Sequence, residues 1–273
     1  MLKITCPLLI VGMAVLGLNG LAQGKEPVDV AFIANCDQTE QRYVVIEPDD
    51  SGKPPERDLL IALHGHGSDR WQFINNPRDE CRAARDFAAS AGMIFLSPDY
   101  RAKTSWMGPK AEADLLQIIS ECRQKYSINR VFVCGGSMGG SSALTFAVLH
   151  PGLVQGVAAM NPMANHLEYD RFQEAISESY GGSKTAIPSE YKARSAEYWP
   201  ERLTMPVGIT TGGKDDIVPP DSAMRLAGIL KTLQRPILLI HRPDGGHETN
   251  YEDAMQILKH LLSSDKTPRS PDH

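Results

Sequence analysis

The chain has 273 residues, 42% of them hydrophobic and 22% charged, a composition that fits a soluble globular protein and excludes a fibrous or low-complexity one. Its formal net charge of −5, with 28 basic against 33 acidic residues, lacks the basic footprint of a nucleic-acid binder. The length holds one large α/β domain or two small ones.

Lys3 precedes an apolar stretch over 7–18, and Gly20-Leu21-Ala22 puts small residues at the −3 and −1 positions of a cleavage site. That is the layout of a secretory signal peptide over 1–22, cut after Ala22, and it implies a secreted or periplasmic protein. The run is shorter than the roughly 20 residues that span a bilayer, so no stable membrane insertion is expected after cleavage. Cys6 would leave with the signal. The remaining Cys36, Cys81, Cys122 and Cys134 allow three pairings that sequence cannot separate. An oxidising compartment favours at least one bridge, although Cys134, inside an expected core strand, also reads as a small buried hydrophobe.

Residues 25–58 read as an edge region, with an extended run at 42–46 and a turn at 48–52. Beyond it, short apolar runs at 59–63, 93–96, 131–134, 154–160, 207–210 and 237–240 alternate with helical patterns at 79–91, 112–126, 138–149, 221–233 and 248–262. Leu115, Ile118, Ile119 and Cys122 recur at helical spacing and form one buried stripe. Continuous apolar strands belong to a parallel sheet covered on both faces, and their alternation with helices predicts a doubly wound, mostly parallel α/β sheet. Residues 23–262 are expected to be a single domain. Within it, 163–202 break the rhythm and read as a lid-like insertion over the carboxyl edge of the sheet, where open α/β folds bind ligands. The polar tail, 263–273, is expected to be disordered.

The densest chemical signal is Val131-Phe132-Val133-Cys134-Gly135-Gly136-Ser137-Met138-Gly139-Gly140. It is a G-x-S-x-G motif between an apolar strand and a helix, the context in which a serine stands exposed on a strained turn as a nucleophile. The helix beginning at Met138 aims its positive end at the same place. A nucleophilic serine needs a base. His247 follows Asp244-Gly245-Gly246, between the last strand and the last helix, on a loop that reaches the same sheet edge. His241, at a strand end, is its competitor, whereas His150, His166, His260 and His273 read as surface residues. The base needs an orienting carboxylate, and Asp215 and Asp216 both follow the 207–210 strand. Tyr100 and Trp106, beyond another strand, are candidate pocket residues, with core packing the alternative for Trp106. Tyr169, Phe172, Tyr180, Tyr191, Tyr198 and Trp199 read either as a binding platform or as the insertion's own core. His64, His66 and Asp69 hint at a metal pattern, but Asp69 stands one residue late and Arg70 replaces a histidine, so no metal is expected.

Over residues 58–262 these motifs resemble the α/β-hydrolase superfamily, in the chain order serine, acid, histidine expected of that fold. The superfamily commonly carries its acid in a G-x-x-D-x-x-V-P stretch. Gly212, Asp215, Val218 and Pro219 match it, so the resemblance favours Asp215 over Asp216. Leu63-His64-Gly65-His66-Gly67 resembles the H-G-x-G oxyanion loop, which implies backbone N–H donors from His66 and Met138, with His64 bracing the loop. The chain is also similar to secreted esterases of the feruloyl, acetylxylan and polyhydroxyalkanoate-depolymerase-like kind. That likeness implies a Ser137–Asp215–His247 triad, an acyl-enzyme, a small-molecule or carbohydrate ester substrate and no cofactor. The alternatives are a peptidase of the prolyl-oligopeptidase type, normally preceded by a propeller for which the N-terminal segment leaves no room, and a non-catalytic binding protein on the same scaffold.

Overall fold

The computed structural model describes residues 25–49 and 56–263; the expected signal segment, part of the 48–52 turn and the tail apart from Ser263 lie outside them. In chain order the elements are β1 (Val28–Ile33), β2 (Glu40–Ile46), β3 (Arg57–Leu63), α1 (Gln72–Asn75), α2 (Asp79–Ala91), β4 (Ile94–Pro98), α3 (Pro109–Lys125), β5 (Ile128–Gly136) and α4 (Met138–Leu149). They continue as β6 (Gly156–Met160), α5 (Gln173–Tyr180), α6 (Pro188–Ala193), β7 (Val207–Gly212), α7 (Asp221–Thr232), β8 (Ile237–Arg242) and α8 (Tyr251–His260). The strands form one sheet in the order β1-β2-β4-β3-β5-β6-β7-β8. β1 and β2 are antiparallel to their neighbours, and every pairing from β4 to β8 is parallel. The edge region thus holds two strands where one extended run was expected.

Side chains alternate across a strand, and that alternation sorts the core. Leu59, Ile61 and Leu63 of β3 join Val131 and Val133 of β5 on the face covered by α3, α4 and α7. Leu60, Ala62, Phe132 and Cys134 point the other way, against Phe87 of α2 and Ile257 and Leu258 of α8. α4 is buried from Met138 to Val148, which explains why it is apolar all round rather than striped. It runs beneath the centre of the sheet and starts at the serine.

Residues 163–202 are less a cover than the sequence pattern implied. Ile176, Tyr180, Tyr191 and Ala196 belong to the main apolar cluster, while Phe172 and Tyr198 are exposed. His166, expected at the surface, is 1% exposed; its ring lies against the Tyr180 hydroxyl (3.1 Å) and the Thr145 hydroxyl (3.3 Å). Burial, aided by nearby Arg194, pushes its pKa down to about 3, because this apolar site disfavours the charged imidazolium. The expected disulfide is also absent: Cys36, Cys81, Cys122 and Cys134 are free. Cys122 packs in the cluster on one face, and Cys81 and Cys134 in the cluster on the other. Burial pushes Cys81 and Cys122 up to about 12, so they act as small apolar fillers. Cys36 lies apart from both clusters, beside the Arg101 guanidinium. Among the described residues no helix is long and apolar enough to cross a membrane.

Candidate active site

Ser137 sits at φ 59° and ψ −122°, between the last residue of β5 and the first of α4. A non-glycine residue holds such a conformation only where its surroundings enforce it. Here the Ser137 N–H donates to the Met160 carbonyl of β6 at 2.8 Å, and the Ser137 carbonyl accepts from the Ser141 N–H at 3.0 Å and the Ser141 hydroxyl at 3.1 Å. Gly139 permits the turn, since a Cβ there would collide with the Leu63 carbonyl oxygen at the end of β3. The motif's spacing is therefore a record of how closely α4 crosses the strands.

The loop after β8 delivers His247. Its Nε2 is 2.8 Å from Ser137 Oγ, and its Nδ1 is 2.6 Å from Asp215 Oδ2. The Asp215 carboxylate is buried, and its other oxygen accepts from the N–H groups of Val218 (2.8 Å) and Ile217 (3.0 Å). Burial works against its ionised form, but His247 and these amides more than offset it, so its pKa stays below the usual carboxylate range. Asp216 points to solvent. The loops bearing Asp215 and His247 are laced together by Lys214 N–H to Gly245 O at 2.8 Å and Gly213 N–H to Arg242 O at 2.8 Å. A side chain on Gly212 would strike the Gly246 carbonyl and push them apart. His241 stays on β8, its Nδ1 2.9 Å from the Thr211 hydroxyl.

Residues that sequence reasoning missed complete the frame. Asn161, at φ 47° just past β6, donates from Nδ2 to the Gly246 carbonyl (3.3 Å) and to Asp215 Oδ2 (3.4 Å). Its Oδ1 accepts from the Thr249 hydroxyl at 2.6 Å, and that hydroxyl also meets Thr210 at 2.7 Å. The only available cue was an asparagine directly after a strand and before Pro162. Gln72 Oε1 accepts from the Gly65 N–H at 2.7 Å and fixes the loop after β3. Among the described residues, the backbone N–H groups of His66 and Met138 have no acceptor. His64 is buried, with Nδ1 2.9 Å from the Gly65 carbonyl and Nε2 3.1 Å from the Asp99 carbonyl, while the Asp69 carboxylate accepts from the Trp71 N–H.

A cavity of about 250 Å³ opens over Ser137 and His247, with Phe73, Met160, Phe172 and Ile217 as apolar wall and Gln72, Arg78, Glu80 and Glu248 as polar wall. Tyr100 and Trp106, the candidate pocket residues, do not line it; for Trp106 the packing alternative holds, against His166, Tyr169 and Phe172. Both are at most 2% exposed and stand one layer behind. The Tyr100 hydroxyl donates to the His64 carbonyl at 2.6 Å, and Trp106 Nε1–H donates to His66 Nδ1 at 3.2 Å. Apolar area, rather than proximity to a strand end, decided their place.

The strand order, the strained serine turn and the crevice beyond the strand ends define an α/β-hydrolase. Solved structures share that fold: the fluorophosphonate-binding serine hydrolase FphF of Staphylococcus aureus has a TM-score of 0.69 at 15% identity, over 86% of this chain and 98% of its own. A ferulic acid esterase has a TM-score of 0.64 at 17% identity, over 87% and 98%. The Pyrococcus horikoshii acylaminoacyl peptidase has a TM-score of 0.65 at 15% identity, over 87% of this chain but 40% of its own. No curated protein matches the chain significantly. The model of the prolyl oligopeptidase family matches residues 82–263, more than half of the sequence, and the chain belongs to that family.

Proposed function

We propose that the chain is a serine hydrolase that cleaves carboxylic esters of small-molecule or carbohydrate type through an acyl-enzyme. The observation that carries this reading is the continuous hydrogen-bonded series Ser137–His247–Asp215, at 2.8 and 2.6 Å. Ser137 Oγ attacks the ester carbonyl as His247 Nε2 takes its proton, and Asp215 holds the opposite Nδ1–H and steadies the imidazolium. The oxyanion of the tetrahedral intermediate meets the His66 and Met138 amides, which have no other acceptor among the described residues and sit on backbone held by Gln72 and by Met160. Collapse expels the alcohol with the proton from His247. Water then attacks the acyl-enzyme by the same route, so one ester and one water give one acid and one alcohol. These steps use only protein groups and water.

The peptidase reading stands second, on the strength of the family match. The cavity favours esters: about 250 Å³, with Phe73, Met160, Phe172 and Ile217 along one wall, suits a short acyl or alcohol group better than the run of subsites an extended peptide needs. The signal-like start of the sequence supports export to the secreted or periplasmic space. Steady-state assays on p-nitrophenyl acetate and on an aminoacyl p-nitroanilide separate the two readings, and a series of esters of rising acyl length and aryl-sugar type then locates the substrate. Turnover of the acetate with little or none of the anilide is expected. The reverse order of activities would transfer the assignment to peptide cleavage.

A further inference from the structure

His66 does more in this cleft than lend a backbone amide. Its ring packs against two aromatic groups, with Phe172 at 4.3 Å between ring centroids and Trp106 at 5.9 Å, and those two also touch each other at 5.6 Å. Trp106 Nε1–H donates to His66 Nδ1 at 3.2 Å. An indole nitrogen can only donate, so the nitrogen facing it must carry a lone pair, and a neutral imidazole must then hold its proton on Nε2. Protonating Nδ1 as well would set two donors face to face. Burial of the ring opposes the imidazolium further. Trp106 is not free to turn away: it is fully buried, its ring packs on Tyr169 at 5.7 Å, and its carbonyl accepts from the Tyr180 hydroxyl at 3.1 Å. Meanwhile His66 Nε2 has no partner among the described residues, and His66 lines the cavity beside Ser137.

We propose that Trp106 fixes His66 as the neutral Nε2–H tautomer, and that this N–H binds an oxygen acceptor of the substrate other than the scissile carbonyl. The carbonyl oxygen is met by the two backbone amides, so the ring serves an ether, hydroxyl or second carbonyl oxygen in the acyl or alcohol part. Its effect is to favour oxygen-bearing esters over hydrocarbon ones of the same shape. Trp106 is a positioning residue that acts through His66. The inference rests on the ester-hydrolase reading, since it assigns that site a preference.

Two measurements test it. In protein labelled with nitrogen-15 histidine, the tautomer is read directly by NMR, with His66→Gln assigning the signals by their loss. The expected result is a proton on Nε2 at neutral pH, and its redistribution towards Nδ1 or the doubly protonated form in Trp106→Phe. A proton on Nδ1 in the wild type overturns the proposal, and this reading survives even if Trp106→Phe does not fold. The second is kcat/KM for two pairs in which one oxygen replaces one methylene: p-nitrophenyl methoxyacetate against butyrate for the acyl side, and 2-methoxyethyl acetate against butyl acetate for the alcohol side. In at least one pair the preference for the oxygen member should fall about fivefold to tenfold in His66→Ala, the worth of one neutral hydrogen bond, and partly return in His66→Gln. Ratios unchanged in both pairs overturn this inference and leave the ester reading intact. A wild-type protein that hydrolyses none of the four esters removes both.

Discussion

Asp215 and Asp216 are adjacent carboxylates with opposite fates, and the difference lies in what each backbone position can reach. Asp215 is drawn inward by two amides and by His247, whereas Asp216 faces solvent. Asp215→Asn should lower kcat by roughly a thousandfold to ten-thousandfold, because the amide favours the wrong imidazole tautomer. Asp216→Asn should stay within about twofold, as surface changes away from a site generally do. Equal losses in the two variants, measured by steady-state kinetics, would break the assignment. Ser137, Asp215 and His247 were legible in the sequence because each stands in a turn whose glycines record a close backbone approach. Asn161, Gln72 and Thr249 were not, since their role exists only in contacts such as Thr249 to Asn161, which lie 88 residues apart. Tyr100 misled, and Trp106 stayed open between pocket and core, for a related reason: an aromatic near a strand end reads as pocket lining until packing shows it buried behind the wall.

The parallel strands announced themselves as continuous apolar runs, and α2 and α4 occupy the expected 79–91 and 138–149. β1 hid because it is an edge strand with half-exposed residues and an aspartate among its apolar ones. The 163–202 segment stood out, but its inner order hid because its helices are short and its apolar residues follow no steady period, so tertiary packing alone decides which aromatics go inside. The unit on which most depends is the β5–turn–α4 passage. Gly139→Ala would force a methyl into the Leu63 carbonyl, backbone that cannot rotate away. A destabilisation of about 3 kcal/mol or more is expected, lowering Tm by roughly 6–12 °C. Calorimetry showing an unchanged Tm would mean that the turn is looser than described.

Across the whole molecule, two apolar faces of one sheet carry the stability, and a buried histidine adds to its acid sensitivity. His166 has an ordinary pKa of 6.5 and is pushed down to about 3 in the fold. Below about pH 6.5 the unfolded chain takes up a proton that the folded chain refuses, so this residue makes stability fall as the pH drops towards 3. The loss is at most about 1.4 kcal/mol per pH unit. His166→Gln should flatten the decline in Tm between about pH 7 and pH 4; parallel profiles for the two proteins would contradict it. The function rests on the same architecture, since the sheet brings a serine and a histidine 110 residues apart to 2.8 Å. The most direct test of that convergence is labelling of the native protein by a fluorophosphonate, followed by peptide mass spectrometry. The reagent should attach to Ser137, should fail on Ser137→Ala, and should react more slowly by at least about a thousandfold when His247 is replaced by alanine. Native protein that leaves Ser137 unmodified, or modification that ignores His247, would contradict the account.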